Sequence, residues 1–189
     1  RRVVVAVGLA TVAAASLMFT LFDSGTPYPP IAAALVIFGL GMGLTTPSLT
    51  VAILRPFPEA EHGVGSAVND LAREIGGSLG VAVMGSVLAA GYRAAVPLPA
   101  QGWAEQVADR VHRSIGEALE VASHLPPDVG ALLAAGARDA FLAGMRPALL
   151  TGAMILLLGA VLVLLRLGRD AAPVPASAAQ VEQPVGRTG

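Results

Sequence analysis

Residues 63–90 read GVGSAVNDLAREIGGSLGVAVMGSVLAA. At helical rise this stretch is long enough to cross a bilayer, whose hydrocarbon core of about 30 Å takes about 20 apolar residues. Its second half carries no charge. Its first half holds Asn69, Asp70, Arg73 and Glu74 within about one and a half turns of 3.6 residues. Charged side chains at membrane depth are costly, so they face a bundle interior or a cavity, or lie near the surface, and they usually pair. Asp70 and Arg73 are three apart, while Asn69 and Arg73, and Asp70 and Glu74, are four apart. Those are the spacings at which side chains meet on one helix face. The reading is a polar-headed transmembrane helix.

Three further stretches meet the same length criterion. They are 3–22, 31–54 and 141–165, beside the span at 64–90. The last is uncharged from Pro147 to Leu165 and extends back toward Phe141. Arg146 then sits near the membrane surface, where its apolar stem can snorkel. Across all 189 residues, 54% are hydrophobic and 13% are charged, and the mean hydropathy is +0.70. Soluble domains are about 25% charged. With so few polar side chains, the chain cannot cover a water-soluble globule. The absence of cysteine excludes a disulfide framework and thiol catalysis. A net charge of −1 provides no basic field for nucleic acid. The fold class expected is all-α, a polytopic transmembrane helix bundle over 1–169.

The connections differ in kind. DSGTPYPP at 23–30 is a short Pro-rich turn, and RPFPEAEHG at 55–63 is short and charged. The segment 91–140 is long. Within it Val107, Val111, Ile115, Leu119 and Ala122 recur at helical spacing, with Glu105, Asp109, Arg110, Arg113, Glu117 and Glu120 mostly between them. That pattern predicts one amphipathic helix on the outer membrane surface or on the bundle, ended by Pro126-Pro127. Residues 170–189 are rich in Ala, Pro and Gln and read as a disordered cytoplasmic tail. Arg1, Arg2, Arg55, Arg166 and Arg169 fall on one side, and Arg93, Arg110, Arg113, Arg138 and Arg146 on the other. The totals tie, but charges flanking short loops count for more than those in a long one. Both termini are therefore expected in the cytoplasm.

Small residues suggest close helix packing. Gly76 and Gly80 form GxxxG beside Gly77, and Gly39, Gly41 and Gly43 form GxGxG. Such patterns let backbones approach in lipid; the other use is to let helices bend or slide. Pro47 is expected to kink the second span, where Thr45, Thr46, Ser48 and Thr50 line a cavity or bond back to the backbone. The polar group at Asn69–Glu74 reads as a structural or gate-locking ion pair, as a proton-coupling site, or as a substrate contact. No phosphate loop GxxxxGK(S/T), HExxH or GxSxG occurs, so no enzyme is expected. His62, His112 and His124 lack metal-ligand spacing, and no cofactor is implied.

The stretch FGLGMGLTTPSLTVAIL, the charged loop RPFPEAEHG and the run GVGSAVNDLAREIGGSLGVAVMGSVL together resemble the carboxy-terminal part of major facilitator superfamily exporters. The likeness is greatest to the 14-helix drug:proton antiporters of the EmrB/QacA type, and it covers about 1–168. It implies that the four spans are the last four of a longer chain, part of the second helical bundle, with the missing amino-terminal helices as partners. It implies proton-driven efflux of hydrophobic or cationic small molecules by alternating access, in the inner (plasma) membrane. Asp70, Arg73, Glu74 and Asn69 would be gate or coupling residues. The GP pair of the antiporter motif is absent. A dedicated metabolite transporter, or a non-transporting four-span assembly or sensor subunit, would also fit the four spans.

Overall fold

A computed structural model describes residues 2–54, 58, 62–97 and 104–166. Arg1, Arg55 and Arg169 of the charge count, and the tail 170–189, lie outside the described residues. Among the described residues there are six helices and no strand. They are α1 (Arg2–Phe19), α2 (Tyr28–Leu54), α3 (His62–Ala95), α4 (Glu105–Arg113), α5 (Ile115–Ser123) and α6 (Pro127–Arg166). Four of them, α1, α2, α3 and α6, are long and apolar enough to cross a membrane.

The helix ends follow local chemistry. α1 stops at Phe19, earlier than the apolar run suggests. Thr20 donates its hydroxyl to the Leu17 carbonyl at 2.6 Å, and the backbone tightens into turns over 20–22. Asp23 then organises the link. Its Oδ1 accepts from the Gly25 N–H at 2.9 Å and from the Thr26 hydroxyl at 3.0 Å. α2 begins with Tyr28-Pro29-Pro30. Proline is tolerated in a first turn because its missing N–H would have had no intrahelical partner.

The long helices form an open row in the order α2, α1, α6, α3, with only a light contact between α2 and α3. Two glycine crossings set the spacing. A Cβ on Gly41 would lie 2.8 Å from the Val12 nitrogen and 2.9 Å from the Gly8 carbonyl oxygen, and one on Gly8 would run into the Thr45 hydroxyl. Thr45 is buried there and donates to the Gly41 carbonyl at 2.8 Å. Where α3 meets α6, a Cβ on Gly144 would lie 2.6 Å from the Leu88 oxygen and 2.7 Å from the Tyr92 nitrogen. One on Gly91 would lie 2.7 Å from the Gly144 Cα. These are backbone-to-backbone approaches that any side chain would push apart.

At about 1.5 Å per residue, the 34 residues of α3 extend about 51 Å and the 40 of α6 about 60 Å. Both exceed a hydrocarbon core of about 30 Å. α6 runs about 26 Å past the Gly91–Gly144 crossing toward Pro127, whereas α3 ends four residues beyond it, and α4 and α5 pack on that stretch of α6 and on the end of α3. α6 therefore begins at Pro127 rather than near Phe141. Its extra turns include Arg138 and Asp139, too polar for a span but suited to an extramembrane helix. The result is a helical cap. Its core joins Tyr92 and Val96 to Val111 of α4, Ala118, Val121 and Ala122 of α5, and Leu133, Ala137 and Ala140 of α6.

The amphipathic segment is two helices rather than one. Ser114 is extended (φ −162°, ψ 157°), and its side chain accepts from the Glu117 N–H at 3.2 Å. This is the start signal of a new helix. The break shifts the apolar face, so that Ala118, Val121 and Ala122 are buried and Leu119 is only half-buried. Outside the break, Glu117 receives Arg113 at 3.0 Å and Arg110 at 3.2 Å, and Arg110 also reaches Glu120 at 3.1 Å. The hydrogen bond that Arg110 donates to Glu117, followed by the charge of Glu120, pushes the Arg110 pKa above its ordinary value. The guanidinium ties α4 to α5.

The glycine crossing predicts a contrast between two conservative changes. Gly144→Ala should destabilise the chain by about 1–3 kcal/mol, because a methyl is forced into backbone. Gly76→Ala, where a Cβ meets nothing within 4 Å, should stay within about 0.5 kcal/mol in this 189-residue chain. Thermal unfolding in detergent measures both. Equal losses at the two positions would contradict the crossing.

Candidate functional site

The polar head of α3 stands on a stretch of helix that the described residues leave largely unpacked. The buried residues of α3 are Gly65 and Tyr92, so the whole face between them that carries the polar group is open within the described residues. Asp70, Arg73 and Glu74 are exposed and Asn69 is half-buried. The i,i+3 pair forms: Arg73 Nη2 approaches Asp70 Oδ1 at 3.4 Å, with side chains 73% and 62% exposed. Glu74 and Asn69 lie on the same turns and do not join that pair. The cluster is therefore brought together by helix spacing alone.

Helix length locates the group along α3. Nineteen residues separate Glu74 from Arg93, about 28 Å at 1.5 Å per residue, with no charge between. On α6 the uncharged run from Arg146 to Arg166 is about 30 Å by the same rise. Arg93 and Arg146 both flank the Gly91–Gly144 crossing, so the two uncharged runs share a charged end there. The Asp70–Glu74 group closes the uncharged run of α3 at its other end. Next to it is a broad open depression of about 510 Å³, lined by Arg73, Glu74, Gly77, Ser78, Val81 and Ala82, all from α3. An apolar groove of about 320 Å³ lies farther along, where Met84 and Leu88 face Met145 and Leu149 of α6.

The glycines divide cleanly. Gly41 is buried in the α1–α2 crossing, but Gly39, Gly43, Gly76, Gly77 and Gly80 meet nothing within 4 Å. The GxxxG strings thus lie on faces that no described helix covers. Pro47 lies within a continuous α2, where it leaves the Gly43 carbonyl without its usual N–H partner. Thr45 and Thr50 bond back to the carbonyls of Gly41 and Thr46, the commoner use of a hydroxyl in a helix. Among the described residues no three His, Cys, Asp or Glu side chains converge as metal ligands.

The residues that sequence reasoning missed are the packed ones. Gly8, Gly91 and Gly144 have no glycine four residues away, and Tyr92 belongs to no motif. The signal available was pairwise, one glycine on each of two apolar helices, and that needs the pairing to be known. Tyr92 donates its hydroxyl to the Val111 carbonyl at 3.0 Å and is 2% exposed.

A pair as exposed as Asp70–Arg73 should couple weakly. A double-mutant cycle of Asp70→Asn and Arg73→Gln in this chain should return less than about 0.5 kcal/mol. A coupling several times larger, read from detergent unfolding, would mean that another element covers the pair.

No family model matches the chain, and no solved structure does. Curated sequences do match. The multidrug efflux pump LfrA of Mycolicibacterium smegmatis is 34% identical over 156 residues, which is 82% of this chain and 31% of the pump. The methyl viologen resistance protein SmvA of Salmonella typhimurium is 36% identical over 93 residues, 49% of this chain and 19% of that protein. A triacylglyceride transporter of Mycolicibacterium smegmatis is 47% identical over 58 residues, 31% of this chain and 10% of that protein. The chain spans less than a third of the length of these relatives. Four membrane-length helices and the match to LfrA over most of this chain agree with the resemblance in α2 and α3, and the chain is similar to part of these bacterial multidrug efflux proteins.

Proposed function

We propose that this chain forms part of a proton-coupled exporter of small hydrophobic or cationic compounds, working by alternating access in the plasma membrane. The observation that carries the reading is the similarity to LfrA over 82% of the chain. The open polar face of α3 supports it. Asn69, Asp70, Arg73 and Glu74 stand on a face with no partner among the described residues, beside a row of unfilled glycines. In this reading further helices of a longer protein cover that face, and Gly39, Gly43, Gly76, Gly77 and Gly80 pack against them. Asp70 holds Arg73 in one state of the transporter and releases it in the other, on protonation or through a competing partner. Both chain ends lie in the cytoplasm, and α4 and α5 lie outside.

A dedicated transporter of one lipid-like substrate is the second reading. The match to the triacylglyceride transporter favours it, being the higher in identity but covering only 58 residues. Substrate profile separates the two.

The test uses the full reading frame in an efflux-deficient host. Cationic dye efflux that collapses with a protonophore is expected, as is none from residues 1–189 alone. Asp70→Asn should lower efflux at least tenfold or shift its pH dependence. Unchanged rate and unchanged pH profile would remove Asp70 from coupling. Dye efflux by the isolated segment would overturn the partial-bundle reading. In the full protein Gly76→Ala should now be costly, lowering stability by about 1–3 kcal/mol. If it remains neutral there, no helix packs on that glycine. A reporter fused between α3 and α4 that is active only in the cytoplasm would invert the orientation.

A further inference from the structure

We propose that α4 and α5 are a permanent clamp on the α3–α6 pair, which stays shut while other helix contacts rearrange. The inference rests on the transport reading for what moves, and on the geometry below for what does not. The seam between the cap and the two long helices is dry. Nine buried side chains from four elements meet in it, Val111, Ala118 and Ala137 with no exposure at all. Tyr92 is the single titratable side chain in that core. Its hydroxyl crosses 19 positions of sequence to the Val111 carbonyl.

The charged groups lie elsewhere. Arg110, Arg113, Glu117 and Glu120 pair among themselves across the α4–α5 junction. They strengthen the cap internally and leave no ion pair across the seam, among the described residues, to act as a release latch. One backbone approach crosses the seam, where Gly130 of α6 rests on the Ala122 carbonyl of α5. Beneath it Gly91 and Gly144 touch, and Gly136 accepts the ring of Pro97, which ties the end of α3 to α6. Lifting the cap would wet the whole core at once, because its members contact one another rather than separate neighbours. The far half of α3 has no comparable anchor among the described residues.

One pair of positions tests whether the end of the α3–α6 pair beneath the clamp stays closed. A Cβ built on Gly136 lies 3.9 Å from the Pro97 Cβ, within the range that a disulfide spans. The chain has no cysteine of its own. Replacing both residues together, Pro97→Cys and Gly136→Cys, also removes the proline ring that a lone cysteine at 136 would strike. The double variant is made in the full-length protein with any other cysteines replaced. On mild oxidation it should form the 97–136 linkage, read by mass spectrometry of linked peptides. Dye efflux of the oxidised protein should stay within twofold of the reduced form. A tenfold loss on oxidation that a reductant reverses would overturn the clamp, and so would failure to form the linkage.

Amide hydrogen exchange supplies a readout that needs no transport. Residues 115–122 and 133–140 should exchange slowly and equally with and without substrate. Exchange of both segments within minutes under turnover would overturn the proposal. If the cysteine-free parent pumps no dye, the transport reading falls, and exchange alone decides the clamp.

Discussion

The contact between Gly144 and the backbone of α3 at Leu88–Tyr92 constrains most of what lies around it. In lipid, helices gain nothing from hiding apolar surface from water, so association relies on close dispersion contact and on backbone approach. Gly91 and Gly144 allow that approach at one level of the bundle. Fixing it brings Tyr92 under Val111, sets Val96 and Pro97 against the first turns of α6, and gives α4 and α5 a two-helix platform. The Gly8–Gly41 crossing does the same for α1 and α2, with Thr45 buried against it. Between these crossings α6 fills its contacts with small residues. Gly152 faces Met84 of α3, and Gly159 faces Leu9 of α1.

The four long helices were legible because a span announces itself by length. An uncharged apolar run of about 20 residues suits a bilayer crossing and little else, and only 13% of this chain is charged. Their ends were less legible. Hydropathy falls where a helix leaves the membrane, yet the helix need not stop there. α6 runs on through Arg138 and Asp139 because Leu133, Ala137 and Ala140 at helical spacing still find a core. Ser114 is the opposite case. The apolar spacing continued across it, but Ser-x-x-Glu at 114–117 was a capping signature, and local chemistry outweighed periodicity.

The glycines show the limit of motif reading more sharply. Gly39 and Gly43 form the motif, but Gly41 between them makes the contact. At about 100° per residue these positions point to different sides of α2. Sequence spacing therefore says that some face is smooth, not which face has a partner. The polar group on α3 was readable as a group for the complementary reason: charge is rare enough in this chain that Asp70, Arg73 and Glu74 stand apart. Its exposure could not be read, because it depends on which helices cover α3.

The division of α3 into a tied end and an open end has an electrostatic side. An ion pair buried in lipid is expensive to break, since either partner left alone bears its full desolvation cost. A hydrated pair exchanges partners cheaply, because water stands in for whichever group departs. The Asp70–Arg73 pair has the second character, at 3.4 Å and largely exposed. The seam around Tyr92 has the first kind of rigidity, obtained without any ion pair among the described residues. A helix that must change neighbours during a cycle needs weak, replaceable contacts where it changes and a dry, interlocked contact where it does not. α3 holds both on one continuous helix, separated by about 28 Å of uncharged surface at 1.5 Å per residue.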